Sequence, residues 1–293
     1  MFEVRKITYA FYIGFVLSVL TACGGDSLTT EVVEQDSGAA DNSSSDDTGS
    51  DSGDDTSACE APVTELSSAF LEFVAAPNVT VVLSEDGCTV SLESAGKPDH
   101  TSSYWDSGNA SGLYVEPEDA ELFEQQRSPG DIEDYVNDFN LTVPVSPELA
   151  DTPSATPLGA IGIAISGAPI FNDSEGNADL SLGVIQGFDR NGAHTGPQTY
   201  HYHLEPKAIS YDDDSLVGIM ADGFFIYGRR CYSTTGYPTD LDESNGHTSI
   251  TLYTGTNEED AEYHYHISSE QYLNGEYYLI FPGNFQGTPS DIN

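Results

Sequence analysis

Four of the seven histidines stand in two near-identical segments, and in each segment they occupy alternate positions. The first segment, 199–205, reads Thr-Tyr-His-Tyr-His-Leu-Glu, and the second, 262–267, reads Glu-Tyr-His-Tyr-His-Ile. Alternation with a period of two is typical of a β-strand, so the histidines of each segment share one face and the tyrosines share the other. Histidines two residues apart are about 7 Å apart at their Cα atoms, close enough for both rings to bind one metal ion.

The same alternation also arises when the tyrosines pack in the core and the histidines are simply solvated. One His-x-His segment alone favours that packing interpretation, whereas two copies in one chain balance it against metal binding. Neutral imidazole is the commonest metal ligand near neutral pH, and sites built from histidine suit Zn²⁺ or Cu²⁺. Imidazoles with a pKa near 6.5 would lose the ion below about pH 6. The predicted ligands are His201, His203, His264 and His266, with His100, His194 and His247 as secondary candidates.

Both His-x-His segments end a longer unit that the chain contains twice. Two further pairs of blocks match between the copies: Gly167-Ala-Pro-Ile-Phe-Asn172 with Gly223-Phe-Phe-Ile-Tyr-Gly228, and Asn191-Gly-Ala-His194 with Asn245-Gly-His247. Each copy has a glycine-initiated apolar strand, then an Asn-Gly turn with a histidine, then the Tyr-His-Tyr-His strand. The predicted repeats span about 158–210 and 215–270. Duplicated halves that pack about a pseudo-two-fold axis would bring both histidine pairs to one site.

These blocks resemble those of the YHYH-domain family, which occurs in bacteria and some other lineages. The matching blocks are Tyr200-His-Tyr-His203, Ile219-Met-Ala-Asp-Gly-Phe-Phe-Ile-Tyr-Gly228, Leu241-Asp-Glu-Ser-Asn-Gly-His247 and Tyr263-His-Tyr-His266, preceded by Gly96-Lys-Pro-Asp-His100. The resemblance covers about 85–287, and it implies a family rather than a mechanism, because the family has no established biochemical activity. The family pattern places cysteines where this chain has Ser244 and Asn284, so the disulfide that the resemblance implies is lost from both ends.

Asp222 follows one apolar run and precedes another, which predicts either an Asp-Gly turn or a carboxylate at the end of a strand. Beside two His-x-His strands, Asp222 becomes a candidate metal ligand or catalytic general base. Together with Glu205 and Glu262 it is also predicted to orient imidazole N–H groups from a second shell. The His-Glu-x-x-His and Gly-x-Ser-x-Gly signatures of common zinc and serine hydrolases are absent from the sequence, so whether the chain is an enzyme stays open.

From residue 158 onward the apolar runs are short and are bounded by Gly, Pro, Asn or Asp. This pattern predicts a mainly β fold: a single β-rich domain over 58–293, sandwich or barrel-like, built from the two repeats with short helices. The predicted elements are strands at 217–220, 224–227, 250–253 and 277–281, a hairpin of 79–83 with 89–92, and a short helix at 117–126.

Residues 1–22 have the features of an export signal, because a positive start precedes an apolar run over 9–20 that is too short to span a membrane comfortably. Leu20-Thr-Ala-Cys23 resembles a bacterial lipobox, which predicts cleavage before Cys23 and lipidation of that residue rather than a membrane-spanning anchor. The predicted location is therefore the cell envelope, as an outer-membrane lipoprotein. The Asp-, Ser- and Gly-rich segment 23–57 cannot bury a core and is predicted to be a disordered tether.

The chain carries 49 acidic and 8 basic residues, a formal net charge of −41. Nucleic-acid binding needs basic patches, and adsorption to anionic lipid head groups needs positive charge, so the composition argues against both. Such a surface attracts cations, and it is equally compatible with a salty habitat. The membrane, reached through lipidated Cys23, is the one partner that the sequence predicts.

Three cysteines remain besides Cys23. Cys59 lies at the start of the domain and Cys88 beside the turn of the predicted hairpin, and a disulfide that joins them would contribute about 3–4 kcal/mol. Cys231 is then unpaired. A cysteine with histidines nearby can be a nucleophile or a soft metal ligand, but it is more often a small buried residue.

Three functions follow from these observations. The first is a metal-binding envelope protein in which the histidine pairs supply the ligands. The second is a hydrolase-like enzyme, metal-dependent or using His/Asp acid–base chemistry on an extracellular substrate, which needs an open coordination position and a cleft. The third is a non-catalytic adhesion or structural module in which the Tyr–His strands only pack.

Overall fold

Short strands make up most of the regular structure, as the predicted mainly β class requires. The computed structural model describes residues 59, 61–108, 111–117, 131–134, 137–196 and 198–293. The strands in chain order are β1 (Val79–Leu83), β2 (Thr89–Ser94), β3 (Phe139–Pro144), β4 (Leu149–Ser154), β5 (Gly162–Ala164), β6 (Pro169–Ile170), β7 (Ser174–Glu175), β8 (Ala178–Asp179), β9 (Ala193–Thr195), β10 (Tyr200–Tyr202), β11 (Leu216–Met220), β12 (Phe225–Tyr227), β13 (Gly246–Ser249), β14 (Glu262–His266) and β15 (Phe285–Gly287). The helices are α1 (Ser68–Ala75), α2 (Asp131–Asp134) and α3 (Leu182–Ile185), with two 3₁₀ turns at Glu258–Asp260 and Tyr272–Asn274.

An eight-stranded sheet carries both repeats, and its order is β13-β14-β12-β11-β5-β6-β10-β9. From the centre outward, each repeat adds an antiparallel, then a parallel, then an antiparallel pair. In the first repeat these pairs are β5/β6, β6/β10 and β10/β9, and in the second they are β11/β12, β12/β14 and β14/β13. The strand order is therefore the same when read from either edge, and the predicted duplication is confirmed.

The pseudo-two-fold axis of the duplication passes between β5 and β11, which pair antiparallel with Ile163 opposite Ile219. The contact is close: a Cβ atom at Gly218 would lie 2.6 Å from the carbonyl oxygen of Ile163, and one at Gly162 would lie 2.7 Å from that of Ile219. These two glycines occupy equivalent positions in the repeats, 56 residues apart. The sequence thus lets two backbones approach at the axis where a side chain would hold them apart.

The position of this axis overturns the prediction that both histidine pairs meet at one site. The histidine strands β10 and β14 each lie second from an edge of the sheet, and four strands separate them. The axis brings together the central strands β5 and β11, while the histidine strands lie on its two sides. Each pair therefore finds its other neighbours within its own repeat.

A large core packs the sheet against α1 and the three-stranded sheet β1-β2-β3. Helix α1 begins at Ser67, whose side chain accepts a hydrogen bond from the backbone N–H of Phe70. Its buried face then places Phe70 and Phe73 against Phe225 of the central sheet, with ring centroids 5.0 and 6.4 Å away. A smaller cluster under α3 contains Ile185 and Phe188. The first part of the domain thereby covers one face of the duplicated unit.

The predicted hairpin is present as β1 and β2, which pair antiparallel. The predicted disulfide closes beside it, between Cys59 and Cys88, with a Cα–Cα distance of 5.5 Å. Ser244 and Asn284 are also neighbours, because the Ser244 hydroxyl accepts a hydrogen bond from the Asn284 backbone N–H at 3.1 Å. The two positions where the family pattern has cysteines therefore lie together in space, as a disulfide there would require.

Two of the predicted strands are wrong. Residues 250–253 form a turn, because the backbone N–H of Thr251 donates to the Thr254 hydroxyl and the Thr251 hydroxyl accepts from Tyr253. This local side-chain bonding competes with a strand. Residues 277–281 contribute a single bridge, Leu204 with Leu279, rather than a strand.

Several predictions fall on residues that the structure does not describe. The export signal over 1–22, lipidated Cys23 and the tether over 23–57 lie outside the described residues, as does most of the predicted helix at 117–126. Within the described ranges, no helix combines the length and apolar character that crossing a membrane requires.

Candidate metal centres

Each repeat gathers four potential metal ligands whose donor atoms lie within 4.8 Å of one another. Site 1, in the first repeat, consists of Glu175, His194, His201 and His203. Site 2, in the second repeat, consists of Cys231, His247, His264 and His266. The predicted ligands are therefore present but divided between two sites.

Site 1 is built from two adjacent strands and a hairpin. Strand β10 supplies His201, and His203 directly follows it; their Nε2 atoms are 2.9 Å apart. The antiparallel neighbour β9 places His194 directly opposite His201. The hairpin of β7 and β8 brings a carboxylate oxygen of Glu175 to 3.3 Å from Nε2 of both His194 and His203. Four donor atoms thus converge from three elements of one repeat.

Site 2 repeats this construction with one different ligand. Strand β14 supplies His264 and His266, and the antiparallel neighbour β13 places His247 opposite His264. Nε2 of His247 lies 3.2 Å from Nε2 of His266 and 3.5 Å from Sγ of Cys231. Cys231 follows β12, the counterpart of β6. The fourth ligand is therefore a sulfur atom where site 1 has a carboxylate.

Glu175 and Cys231 are equivalent positions of the duplication, since they are 56 residues apart, as are Gly167 and Gly223. The sequence predictions did not include Glu175, because they followed the histidines alone. The signal was available: continuing the matched block Gly167–Asn172 for three more residues pairs Glu175 with Cys231. For Cys231, predicted to be unpaired, the structure confirms a free and buried side chain and adds three imidazoles around it.

Backbone carbonyl groups fix the rings of both His-x-His pairs. In each pair, both Nδ1 atoms lie 2.6–2.9 Å from a carbonyl oxygen, and equivalent rings use equivalent carbonyls. These contacts are His201 with Thr199, His264 with Glu262, His203 with Asn172 and His266 with Gly228. A carbonyl oxygen only accepts, so each Nδ1 carries the proton and each Nε2 directs its lone pair into the site.

The Nε2 atoms of His201 and His203 consequently face each other at 2.9 Å with a lone pair on each. Two lone pairs repel at this distance unless a cation lies beside them. Burial, followed by the neighbouring rings of His203 and His194, holds the pKa of His201 well below its usual range, so a proton is a poor cation here. His194 adds a buried Nε2 that makes no hydrogen bond with any described residue, although the Glu175 carboxylate is 3.3 Å away. The arrangement therefore fits a metal ion better than a proton.

The spacing of the donor atoms fits tetrahedral coordination. Zn–N bonds of about 2.0–2.1 Å place two nitrogen ligands about 3.3 Å apart, and a Zn–S bond of about 2.3 Å places sulfur about 3.5 Å from nitrogen. The nitrogen–oxygen contacts of site 1 measure 3.3 Å, and the nitrogen–nitrogen and nitrogen–sulfur contacts of site 2 measure 3.2 and 3.5 Å. The nitrogen–nitrogen contact of site 1 is shorter, at 2.9 Å, so one of these two rings must move slightly to bind the ion with its partner. Both donor sets fit a single ion at the centre.

Each site contains one anionic ligand. Contact with the imidazole of His203 lowers the pKa of Glu175 despite its partial burial. Burial raises the pKa of the Cys231 thiol, but its contacts with His247, His264 and His266 have the larger effect and lower it to about 2. One carboxylate or one thiolate among three imidazoles offsets part of the charge of a divalent ion.

The alternative in which the histidine face is simply solvated is wrong, because all four histidines of the two pairs are buried. His201 and His203 are 0% exposed, and His264 and His266 are each 1% exposed. Residues outside the strands cover the rings of site 1: Phe171 stacks on His201 with centroids 3.8 Å apart, and Phe188 stacks on His203 at 5.4 Å. The histidines therefore belong to the packed interior of the domain.

The remaining candidate residues lie on the tyrosine faces of the strands. His100, a secondary candidate ligand, belongs to neither site, and its Nε2 is 2.6 Å from the hydroxyl of Tyr202. Asp222, the candidate ligand or general base, is buried and accepts a hydrogen bond from the hydroxyl of Tyr265 at 2.5 Å. Tyr202 and Tyr265 alternate with the site histidines, so Asp222 and His100 are directed away from the metal ligands.

The predicted second-shell carboxylates are also wrong. Glu205 pairs with Arg229 at 2.9 Å, and Glu262 contributes only its backbone carbonyl, to His264. The carboxylate that does orient a ring is Asp240, 2.9 Å from Nδ1 of His247. Asp240 lies in an irregular segment, where no periodicity could have indicated it.

A family model described as YHYH protein matches residues 140–239. This range is narrower than the predicted resemblance over 85–287; it contains all of site 1 and Cys231 and ends before the three histidines of site 2. No match was found among curated proteins or among solved structures. The matched range includes Tyr200-His-Tyr-His203 and the first repeat, which the sequence had indicated for this family. Residues 140–239 therefore match the YHYH family, as the sequence had indicated.

Proposed function

We propose that this protein binds two transition-metal ions, one in each repeat. The observation that carries the proposal is the Nε2 pair of His201 and His203, whose lone pairs face each other at 2.9 Å while both Nδ1 atoms are bonded to carbonyls. Histidines that only pack or only support the sheet would direct Nε2 to a donor or to solvent. The same construction in the second repeat, around His247 and His266, supports one function for both.

Three imidazoles with one anionic ligand suit Zn²⁺ and Cu²⁺. The acidic surface, with a net charge of −41, would raise the local concentration of such cations. Asp222 lies on the opposite face of β14 from the histidines, so acid–base catalysis by a His/Asp pair has no support at this place. Metal binding is the function that the arrangement favours.

Metal content of the full-length protein, purified without chelator, tests the proposal. We expect about two transition-metal ions per chain by elemental analysis, and about one in either His203→Gln or His266→Gln, because each variant removes one ligand of one site. His100→Gln, which alters a histidine outside both sites, is the matched control and should keep both ions. A wild-type protein that holds no ion, even after incubation with Zn²⁺ or Cu²⁺, would refute the proposal.

We also propose that the chain is exported and held at the cell envelope by a lipid on Cys23. The order Leu20-Thr-Ala-Cys23 motivates this, and the Cys59–Cys88 disulfide supports an oxidising compartment. In a bacterial host, wild-type protein is expected in the membrane fraction. Cys23→Ser should move most of it to the soluble fraction or leave it unprocessed. Equal membrane association of the two proteins would count against a lipid anchor.

A further inference from the structure

We infer that site 1 has an exchangeable fourth coordination position, at which a small anion or water replaces Glu175, whereas site 2 is closed. The inference rests on the proposed metal binding and adds to it a ligand class for one of the two sites. The two sites occupy equivalent positions of the duplication and can be compared directly. Their fourth ligand is a carboxylate in site 1, Glu175, and a sulfur atom in site 2, Cys231.

The two imidazoles of each His-x-His pair are held alike in both sites. The two histidines of each His-x-His strand are at most 1% exposed and donate Nδ1–H to backbone carbonyls. The third histidine of each site is supplied by the adjacent antiparallel strand, His194 opposite His201 and His247 opposite His264. The sites then differ in two respects: Nδ1 of His247 lies 2.9 Å from Asp240 whereas the His194 side chain is 17% exposed, and the fourth ligand is Cys231 or Glu175.

Both the backbone and the sulfur atom of Cys231 make contacts that fix the residue in place. The residue is 1% exposed, its backbone N–H donates to Gly236, and its carbonyl accepts from Thr235. Besides His247, the sulfur atom contacts the hydroxyls of Ser233 at 3.1 Å and Ser249 at 3.4 Å. A thiolate fixed in this way cannot swing away, and thiolate is the tighter ligand for Zn²⁺ and other soft or borderline ions.

Glu175 is held much more loosely. Its side chain is 35% exposed, and it stands on the small hairpin of β7 and β8, a separate two-stranded sheet whose second strand, Ala178–Asp179, is exposed. At the tip of this hairpin, Gly176 has open space around it. The carboxylate reaches the site at 3.3 Å from His194 and His203, from the side that faces solvent. Rotation of one side chain would therefore open the fourth position without disturbing the buried rings.

An ion held by three imidazoles with water or substrate in the fourth position has the donor set of a catalytic zinc site, whereas four protein ligands are typical of structural zinc sites. Three neutral imidazoles leave a divalent ion with its full charge once Glu175 moves away, so an anionic ligand is favoured. The expected ligand is a small anion, such as hydroxide or a carboxylate, because it replaces a single carboxylate oxygen of Glu175.

Cobalt spectroscopy with azide tests the inference on the full-length protein. Co²⁺ bound to thiolate gives a near-ultraviolet charge-transfer band that reports site 2, while its visible ligand-field bands report both sites. We expect azide to change the visible spectrum of Co²⁺-loaded His266→Gln, which retains site 1, and to leave Co²⁺-loaded His203→Gln unchanged. In the wild type, azide should change the visible bands and leave the charge-transfer band as it was.

Substitutions of the fourth ligand give the sharpest comparison. Glu175→Gln removes the competing carboxylate and should tighten azide binding at site 1 by roughly tenfold, which corresponds to about 1.4 kcal/mol. Glu175→Cys installs the ligand of site 2 and should abolish the response to azide. Cobalt that binds at site 1 without any response to azide would overturn the exchangeable position and leave metal binding intact. A wild type that takes up no cobalt would overturn both.

Discussion

Removal of the bound metal is expected to lower the thermal midpoint of unfolding by roughly 10 °C or more. A ligand that binds only the folded state at a thousandfold excess over its dissociation constant adds about 4 kcal/mol to the free energy of unfolding. For a domain of this size each kcal/mol corresponds to roughly 2–4 °C. The physical reason lies in the burial of the rings: without an ion, His201 and His203 leave facing lone pairs in an interior where both are 0% exposed.

The measurement is a thermal scan of metal-loaded and chelator-treated protein, without thiol reagents, so that the Cys59–Cys88 disulfide stays closed. The double variant His203→Gln with His266→Gln loses a ligand at each site and is the matched control. Its midpoint should be low from the start and should not respond to chelator. A wild type that loses its metal with no change in midpoint would show that the ions do not stabilise the fold.

The parts of this structure that local pattern encodes could be predicted from the sequence. Period-two alternation placed β10 and β14, matching blocks revealed the duplication, and the spacing around a hairpin gave the Cys59–Cys88 disulfide. Each of these depends on neighbouring residues along the chain or on direct similarity between its halves. The histidine ligands followed from the same patterns, because β9 and β13 pair with the histidine strands within each repeat.

The prediction of a single shared site was wrong, because a sequence motif does not show which strands of a duplicated unit lie at its symmetry axis. That choice is made by backbone packing at Gly162 and Gly218, far from the histidines in the sheet. The burial of the histidine face also depends on residues outside the strands, Phe171 and Phe188. Such contacts are set by the tertiary fold, which alternation within a strand does not report.

The two sites are expected to differ in how acid weakens their affinity for Zn²⁺, and this replaces the single threshold near pH 6 that free imidazoles would give. Burial lowers the pKa of His194 to about 4 and also lowers that of His201. A ring with a lowered pKa stays neutral, and so stays a ligand, as the pH falls. Protonation of these two rings should therefore not weaken Zn²⁺ binding at site 1 between pH 7 and about pH 5.

At site 2 the pKa of one histidine, His247, is raised rather than lowered. Burial lowers the pKa of His247, but Cys231 and Asp240 raise it by a larger amount. The ring therefore binds a proton at higher pH than a free imidazole. Protons then compete with Zn²⁺ for His247 at a higher pH than for a free imidazole, so the apparent affinity of site 2 should begin to fall at a higher pH than that of site 1. Competition with a chromophoric chelator measures both affinities, with His266→Gln reporting site 1 and His203→Gln reporting site 2. Asp240→Asn removes one cause of the raised pKa and should shift the fall at site 2 to lower pH. Parallel loss of affinity at both sites would contradict this account of His247.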